Sequence, residues 1–581
     1  MIRLVRARLA GEKGAALPMV IGITVVLGLL VTTAVAFATG GFRQAAATQE
    51  WSASLAAAYA GIEDYQSRLS EDTSYVQYGN PLAPFSSTSD VRLPTGAVAN
   101  AAFNVAEGEA WVPIPVPSPG ESTSFFRYEV DNSEYSSSGV IRVRSTGKVG
   151  GETRSIVADL RQSGFIDFLY FTDYEIQDRA FSGAGSSCEK YWWDGRSSVS
   201  GSCGEIAFSG GDTVDGPVHS NDTIRICNAT FLGKVTTSYA PSSGVTYNPR
   251  DSNGYSCGGQ TFADPLWPQP VFSPVIGMPA TNSQHLRETR SDLVTDGVPR
   301  PGCLYTGPTE ITLLANGKIN VYSPWTIATR ITGSPASGGS QPPACGNVSR
   351  INSAGGDTFD LPASNVIYVQ DVPAVYGDPN YWASNARPSG LKCESISGNR
   401  IGNGIGYPTW YETAASSAYQ CRVGDLFVKG TLQGQTTLSA EHYVYVTGDL
   451  KYKNAEEDVL GLVGNDAVWV WNPTDSSNRT LLGDYNRRID AAILSVGHTF
   501  AVQNPGAGSG RGTLTVNGAI AQKFRGIVRQ GSGGYTKNYV YDTRLKFTAP
   551  PKFLSPVTTA YGVNVWIEVS PAFESNGAPI S

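Results

Sequence analysis

The chain has 581 residues, with 43 Lys and Arg against 50 Asp and Glu, a net charge of -7, 65 Gly and 35 Pro. This length exceeds one compact core, and the many Gly and Pro predict numerous turns rather than many helices. The mild acidity offers no basic field for phosphates, which argues against nucleic-acid binding, and a total of 4 His and 3 Met disfavours a large metal or haem protein.

An apolar segment near the N-terminus predicts a membrane anchor. Arg3, Arg6, Arg8 and Lys13 precede a charge-free stretch, 14–42. A bilayer core of about 30 Å needs about 20 apolar residues, so we expect a single transmembrane helix rather than a cleavable signal, whose apolar core is shorter. The basic leader, 1–13, is then cytoplasmic and the bulk of the chain lies outside the cell membrane. The anchoring side chains include Leu17, Val20, Ile21, Leu27, Leu29 and Leu30.

The helical pattern continues beyond the predicted membrane segment. Apolar residues recur at steps of four and three, which is typical of a heptad stripe on one helix face; they are Trp51, Leu55, Ala58, Ile62, Tyr65 and Leu69. Segments 125–131, 141–144 and 154–160 then alternate with period two around a turn at 147–152, which predicts a hairpin. A short antiparallel sheet over the stripe would make 43–162 a small α+β head.

Two of these segments resemble a known family. Glu12–Leu17 with the apolar helix that follows, and Ala57–Glu63, are similar to the N-terminal part of PilX-type minor pilins and related type IV pilus assembly proteins. The resemblance implies a pilin-like head and other pilin-like subunits as partners. Counted from Gly14, the position where standard type IV pilins carry a Glu holds Met19. Either processing proceeds without that carboxylate, or the anchor is never cleaved.

From residue 163 onward, short strands alternate with Gly, Asn, Asp and Ser. The strand Leu426–Gly430 returns as Val444–Gly448, and further apolar strands follow at irregular intervals without amphipathic helices between them. The protein is therefore expected to be mainly β, with a large right-handed β-helix (β-solenoid) over 163–548 and a C-terminal extension over 549–581. A β-sandwich is the structural rival, although it requires closely spaced hairpins.

The C-terminal strands also resemble a larger group of proteins. Asp425–Gly430 and Gly518–Gly526 are similar to segments of the large extracellular domain attached to pilus-type anchors. The resemblance implies a location rather than a reaction. Arg525 and Arg544 are expected to be corner residues that pair with carboxylates such as Asp542.

All 8 cysteines follow residue 187, in the part expected outside the cell. An even count in that location predicts disulfides, and the absence of a C-x-x-C motif disfavours zinc and redox sites. Connectivity is open, with sequence neighbours as the natural pairs: Cys188 with Cys203, Cys227 with Cys257, Cys303 with Cys345, and Cys393 with Cys421.

Two further groups of residues are candidate ligand sites. Oxygen-bearing side chains around His219 suit Ca²⁺, but Asp and Asn are also what tight turns require, so no cofactor is expected beyond this calcium alternative; these side chains are Asp212, Asp215, Asn221 and Asp222. The aromatic run Tyr191, Trp192 and Trp193 either contacts a glycan or surface-protein ligand or packs locally. His442 and His498 are expected to be ordinary strand residues.

Two function hypotheses follow. The first is a membrane-anchored, surface-exposed, pilin-like structural and adhesive protein, a minor component of a type IV pilus-like assembly. The alternative is a membrane-anchored β-helix carbohydrate-active enzyme, a polysaccharide lyase or hydrolase working through Asp215 and Asp222. Neither H-E-x-x-H nor G-x-x-x-x-G-K occurs, so we favour the non-enzymatic hypothesis and assign no catalytic residue.

Overall fold

The computed structural model places most of the chain and shows two units. The basic leader expected over 1–13, and Gly14, lie outside the described residues. In the described part the chain is mainly β with a long N-terminal helix, as predicted. The described ranges are 16–71, 73–115, 123–135, 140–162, 164–196, 203–209, 212–251, 253–293, 301–330, 345–393, 402–414, 418–546, 548–556 and 561–580.

The N-terminal unit combines one long helix with a five-stranded sheet, and its strands are numbered along the whole chain. Helix α1 spans Ala16–Glu71; the strands are β1 (Val112–Ile114), β2 (Ser124–Asp131), β3 (Val140–Val149), β4 (Glu152–Gln162) and β28 (Tyr561–Val569). Strands β1 to β4 form an antiparallel meander, and β28 lies beside β4. The expected hairpin turns at Gly150 and Gly151.

The segment 549–581 does not form the single C-terminal extension that the sequence predicts. Its first part belongs to the second unit, and Tyr561–Ser581 belongs to the N-terminal unit. Its strand β28 adds to the edge of the N-terminal sheet. An ion pair joins Arg154 to Glu568, and the rings of Tyr59 and Trp566 lie 4.9 Å apart. Edge addition covers backbone groups that β4 would otherwise expose, a contact between distant parts of the sequence that local patterns do not reveal.

The upper part of α1 packs the predicted stripe against this sheet. Ala58, Ile62, Tyr65 and Leu69 are fully buried, Leu55 is half-buried, and Trp51 stays 47% exposed beneath the Arg154 guanidinium. The stripe therefore lies at the edge of the helix–sheet interface near Trp51, and its side chains are part of the core from Ala58 onward.

Small residues let the helix and the sheet approach closely. A Cβ on Gly147 of β3 would overlap the Ser54 carbonyl oxygen and the Ala58 nitrogen. On the helix, Gly61 lies just as closely against Ser145. Both glycines thus belong to the interface, which a pattern of large apolar residues does not show.

Among the described residues, the second unit is built of short strands with short α-helices between them. The helices are α2 (Arg179–Ser182), α3 (Ser283–Thr289) and α4 (Val348–Ile351). The strands are β5 (Tyr170–Tyr174), β6 (Ala207–Ser209), β7 (Thr213–Asp215), β8 (Val218–Ser220), β9 (Arg225–Cys227), β10 (Thr230–Phe231), β11 (Val235–Thr237), β12 (Thr261–Phe262), β13 (Val271–Phe272), β14 (Cys303–Thr306), β15 (Thr309–Leu314), β16 (Lys318–Tyr322), β17 (Asp357–Asp360), β18 (Asn365–Gln370), β19 (Leu426–Leu432), β20 (Gln435–Ala440), β21 (Val444–Tyr452), β22 (Val459–Gly464), β23 (Val468–Val470), β24 (Arg487–Ser495), β25 (Phe500–Val502), β26 (Thr513–Phe524) and β27 (Thr536–Tyr541).

Parallel pairing dominates this unit. One row of strands runs β15–β19–β21–β23–β25 and a second runs β18–β20–β22–β24–β26. The strand expected to return pairs in register, with Leu426 opposite Val444 and Val428 opposite Val446. Such parallel rows differ from the antiparallel sheets of a β-sandwich.

The stack of strands does not follow chain order. Strand β26 pairs with β5, and β27 pairs with β7, so the beginning of the unit lies beside its end. From β5 the second row continues through β8 and β11 to β13. After β13 the chain runs back along the outside of this row, where Ile276 is hydrogen-bonded to Asn221 and Asn282 to Asn465 and Ala440. It then joins the stack of strands again at β14, which pairs with β18.

We predict that Gly147→Ala destabilises the N-terminal unit by about 1–3 kcal/mol, because the added methyl group forces α1 off β3. Calorimetry and hydrogen exchange of the β3 amides in the full detergent-solubilised chain measure the effect. Gly151→Ala is the matched control, since no atom lies within 4 Å of a Cβ there. Equal stability of the two variants would contradict close packing.

Candidate functional site

Titratable side chains meet at one edge of the second strand row. Asp371, His442, Asp466, His498 and Asp178 each follow closely after a strand of that row, namely β18, β20, β22, β24 and β5. Because the strands are parallel, their carboxyl ends lie on the same edge. We refer to these five residues as the acid–histidine column.

Hydrogen bonds link the members of the column. His442 Nδ1 lies 2.7 Å from Asp466 Oδ2, and its Nε2 lies 3.3 Å from Asp371 Oδ2. His498 Nδ1 lies 2.7 Å from Asp178 Oδ2. The hydrogen bond to Asp371, helped by that to Asp466, raises the pKa of His442 to about 10. Burial lowers the pKa of His498, but its hydrogen bond to Asp178 and the nearby carboxylates outweigh burial and the net shift is upward.

His442 thus lies between two carboxylates and His498 is bonded to one, so neither is an ordinary strand residue. Their place just past a strand end is visible in the sequence. The neighbouring carboxylates come from other strands, so only the stacking of the strands identifies the column.

A cavity of about 430 Å³ lies at the end of the column. Its lining residues are Asp178, Arg179, Ala180, Glu189, Gly497, His498, Lys523 and Phe524. Glu189 bridges two cations, at 2.6 Å from Arg179 Nη1 and 2.6 Å from Lys523 Nζ. Burial alone would raise the pKa of Glu189, but the bonds from these cations lower it. The Cys188–Cys203 disulfide holds the loop that carries Glu189.

Aromatic rings continue from both sides of the cavity. On one side Phe181 lies 5.5 Å from the His498 ring and 4.9 Å from Trp469. On the other, Phe524 leads into a stack of rings at centroid separations of 5.5, 5.0 and 4.8 Å, through Tyr174 and Tyr191 to Trp193. We refer to these six aromatic residues as the aromatic track.

The predicted ligand aromatics divide in role. The Tyr191 hydroxyl donates to Asp173, and the Trp192 backbone N–H donates to Asp222. Trp193 donates from its indole to the Asn221 carbonyl, and 40% of the residue stays exposed. Tyr191 and Trp192 are thus held in local packing, whereas Trp193 offers a face to solvent.

The four calcium candidates are not brought together as ligands. Asp222 is fully buried, accepts a 3.0 Å hydrogen bond from the Glu175 N–H and pairs with Arg196. Asn221 is bonded to Asp173 and Ile276, Asp212 to Lys537, and Asp215 is exposed on β7. Across the described ranges no cluster of three or more His, Cys, Asp and Glu side chains could hold a metal. The side chains of Asp222, Asn221 and Asp212 thus have protein partners, and the calcium site stays a prediction.

The neighbouring His219 is also occupied by protein partners. Its ring lies 2.9 Å from the Thr236 hydroxyl and 3.0 Å from the Asn221 side chain. Burial lowers its pKa to about 4. His219 is therefore a neutral core residue near pH 7.

The eight cysteines form four sequential pairs: Cys188–Cys203, Cys227–Cys257, Cys303–Cys345 and Cys393–Cys421. The two corner arginines differ. Arg544 lies 2.6 Å from Asp542, whereas Arg525 lies 2.7 Å from the buried Glu175. The second pairing arises because β26 packs beside β5.

One motif has the spacing of a serine-hydrolase elbow, Gly-Tyr-Ser-Cys-Gly at 254–258. An elbow needs a sharp turn from a strand into a helix. Here Ser256 forms an isolated antiparallel bridge with Arg250, and Cys257 is disulfide-bonded. The motif is therefore a turn held by a disulfide and lacks the strand-to-helix geometry of an elbow.

We predict that His442→Gln lowers the melting temperature of the full chain by about 1 °C at pH 6, as loss of about 1 kcal/mol would in a unit of this size. An unfolded His titrates near pH ~6.5. With a folded pKa of about 10, the stabilisation by His442 is complete below the unfolded value and is lost as the pH rises through 10. The difference between wild type and variant should shrink over that range.

Melting curves from pH 6 to 10.5 measure this difference. Lys318→Gln removes an exposed ion pair to Asp360 and serves as the control, with a difference near zero at every pH. A His442→Gln deficit that does not change with pH would refute the charged-imidazole interpretation.

No protein-family model and no curated protein matches this sequence. Among solved structures, the chain is similar to the competence-associated pilin ComZ from Thermus thermophilus, with 11% identity and a TM-score of 0.24, over 89% of this chain and 97% of that chain. Likeness at this level leaves the assignment of function to the residues of this chain.

Proposed function

We propose that this protein is a membrane-anchored, pilin-like structural and interaction protein, displayed on the cell surface as a minor component of a type IV pilus-like assembly. Helix α1 carries the proposal. One continuous helix is built into a folded head at its upper end and leaves its apolar lower end uncovered.

The lower part of α1 suits a lipid environment. Of the described helices, α1 is the one long and apolar enough to cross a membrane, with a mean hydropathy of 2.5 in its most apolar window, none of which is buried. Its hydroxyls bond to carbonyls of the preceding turn, as Thr24 does to Val20 at 3.0 Å and Thr33 to Leu29 at 2.8 Å. Since unsatisfied polar groups are costly in lipid, this pairing favours insertion.

The same helix supports assembly with other subunits. Gly22, Gly28, Gly40 and Gly41 have open space around them, so another helix could approach the backbone closely. Lateral packing on like helices of pilin-like partners would cover the apolar surface when the subunit leaves the bilayer. A minor component of a filament needs such a helix and a head.

The second unit supports display outside the cell. Four disulfides in one chain are typical of an oxidising compartment. In-register parallel rows favour a right-handed β-helix as the architecture, since parallel stacking of successive strands is how such solenoids form. We propose that the unit serves binding rather than catalysis, because Asp222 is buried in an ion pair whereas Asp215 is exposed on β7.

We predict that Leu27→Asp combined with Leu30→Asp weakens membrane retention, because each carboxylate at the helix centre costs about 2.5–3.5 kcal/mol on insertion scales. Carbonate washing of cell membranes measures the retained fraction. The control is Ser52→Glu, a charge at an exposed position in the upper part of the same helix. Full retention of the double variant would contradict the anchor.

We predict that sheared surface filaments contain the protein at a low ratio to the major subunit. Immunoblotting of the sheared fraction from the host cell measures this, with an inner-membrane protein as the control for lysis. If the protein is recovered only in the membrane fraction, it is a membrane-anchored protein that does not enter filaments, and the filament assignment is refuted.

A further inference from the structure

We infer that the cavity lined by Arg179, Lys523 and Phe524 is the binding site for an acidic polysaccharide, a chain of sugar rings bearing carboxylates such as uronates. The inference rests on the proposed surface display of this unit and deepens it, because it names the ligand class. The site has three parts: a cationic cavity, an exposed ring beside it, and a row of rings leading away from it.

The exposed charges of the cavity favour an anion. Arg179 and Lys523 keep 29% of their side chains exposed and His498 keeps 28%, whereas Asp178 keeps only 3%. Glu189 is the remaining carboxylate and is 28% exposed. Asp178 is paired with His498, and the single carboxylate of Glu189 is shared by Arg179 and Lys523, so these last three side chains give the pocket one excess positive charge on a chain of net charge -7. Such a pocket concentrates anionic ligands.

The carboxylate Glu189 has a defined place in this pocket. It bridges Arg179 and Lys523 and so keeps both cations in position without a ligand. A ligand carboxylate could share these donors, since an Arg or Lys head group has several N–H bonds to offer. The Cys188–Cys203 bridge fixes the loop that supplies Glu189, which limits the ordering needed on binding.

The rings around the cavity indicate a sugar rather than a bare anion. Phe181 is 47% exposed and lies 5.5 Å from the His498 ring of the cavity, and Trp193 is 40% exposed at the far end of the ring stack that starts at Phe524. Aromatic faces bind the apolar faces of flat ligands, while a few charged groups fix orientation. Because two separate rings of the aromatic track, Phe181 and Trp193, are exposed, the surface suits a polymer rather than one ring. The volume of about 430 Å³ lies within the range of ligand pockets.

Titration calorimetry of the purified full chain in detergent tests the inference. The probes are oligogalacturonate, alginate and hyaluronate, with methyl-esterified oligogalacturonate as a neutral sugar and polyglutamate as an anion without sugar rings. We expect at least one uronate probe to bind at up to about 1 mM, and the ester and polyglutamate to bind about tenfold more weakly.

Two variants and one control locate the site. Lys523→Gln and Phe181→Ala should each weaken uronate binding about tenfold, through loss of a charge and of a ring. Tyr376→Ala removes an 89% exposed ring outside the cavity and should leave binding within about twofold. Melting curves show that each variant is folded.

Failure to bind any uronate probe would overturn the inference, as would equal binding of polyglutamate or the ester. Equal loss in Tyr376→Ala would place binding elsewhere and overturn it too. Because binding is measured on purified protein, these outcomes are independent of whether the chain is found in filaments.

Discussion

In-register parallel stacking of apolar side chains is the constraint on which the second unit depends. One internal column runs through Ile367, Leu438, Leu462, Ile493, Ile520, Tyr170 and Val218, each directly opposite the next. All of them are buried, and each contributes about 1.5–3 kcal/mol by leaving water. A slip of one residue in any strand would turn its apolar side chains outward. Register is therefore fixed, and with it the position of every residue that follows a strand.

Fixed register explains why charges gather at one edge. Residues just past the strand ends stack at the strand spacing, about 4.8 Å. Stacked carboxylates would repel each other at that distance, but Asp371, His442 and Asp466 alternate in sign and bond together. The same edge carries His498 with Asp178 and then the cavity. The column thus neutralises its own charges, and the accessible cations beside it are Arg179 and Lys523 of the cavity.

The sequence predicts what depends on neighbours along the chain. The helix stripe, the Gly150–Gly151 hairpin and the repeat of Leu426 at Val444 all follow from local periodicity and appear in the structure. The pairing of β5 with β26 joins segments 350 residues apart, as the bond from Arg525 to Glu175 shows, and no periodicity contains it. Consequently the cavity, whose walls come from both segments, was not predictable. The role of Gly147 in the helix–sheet interface does not follow from local periodicity either, because this glycine acts through the lack of a side chain, which lets α1 approach β3.

Helix α1 is a single helix of 56 residues, about 80 Å long at 1.5 Å per residue. Its upper part is covered by the sheet, and its lower part is not covered by the protein. Its upper part needs an interface of small residues, since Gly61 and Gly147 bring backbones into contact and resist tilting. The lower part is apolar on every side, so it has no preferred face toward the head and can be covered by lipid or by other helices. Close packing above makes the head move with the helix, so whatever positions the lower part also positions the folded head.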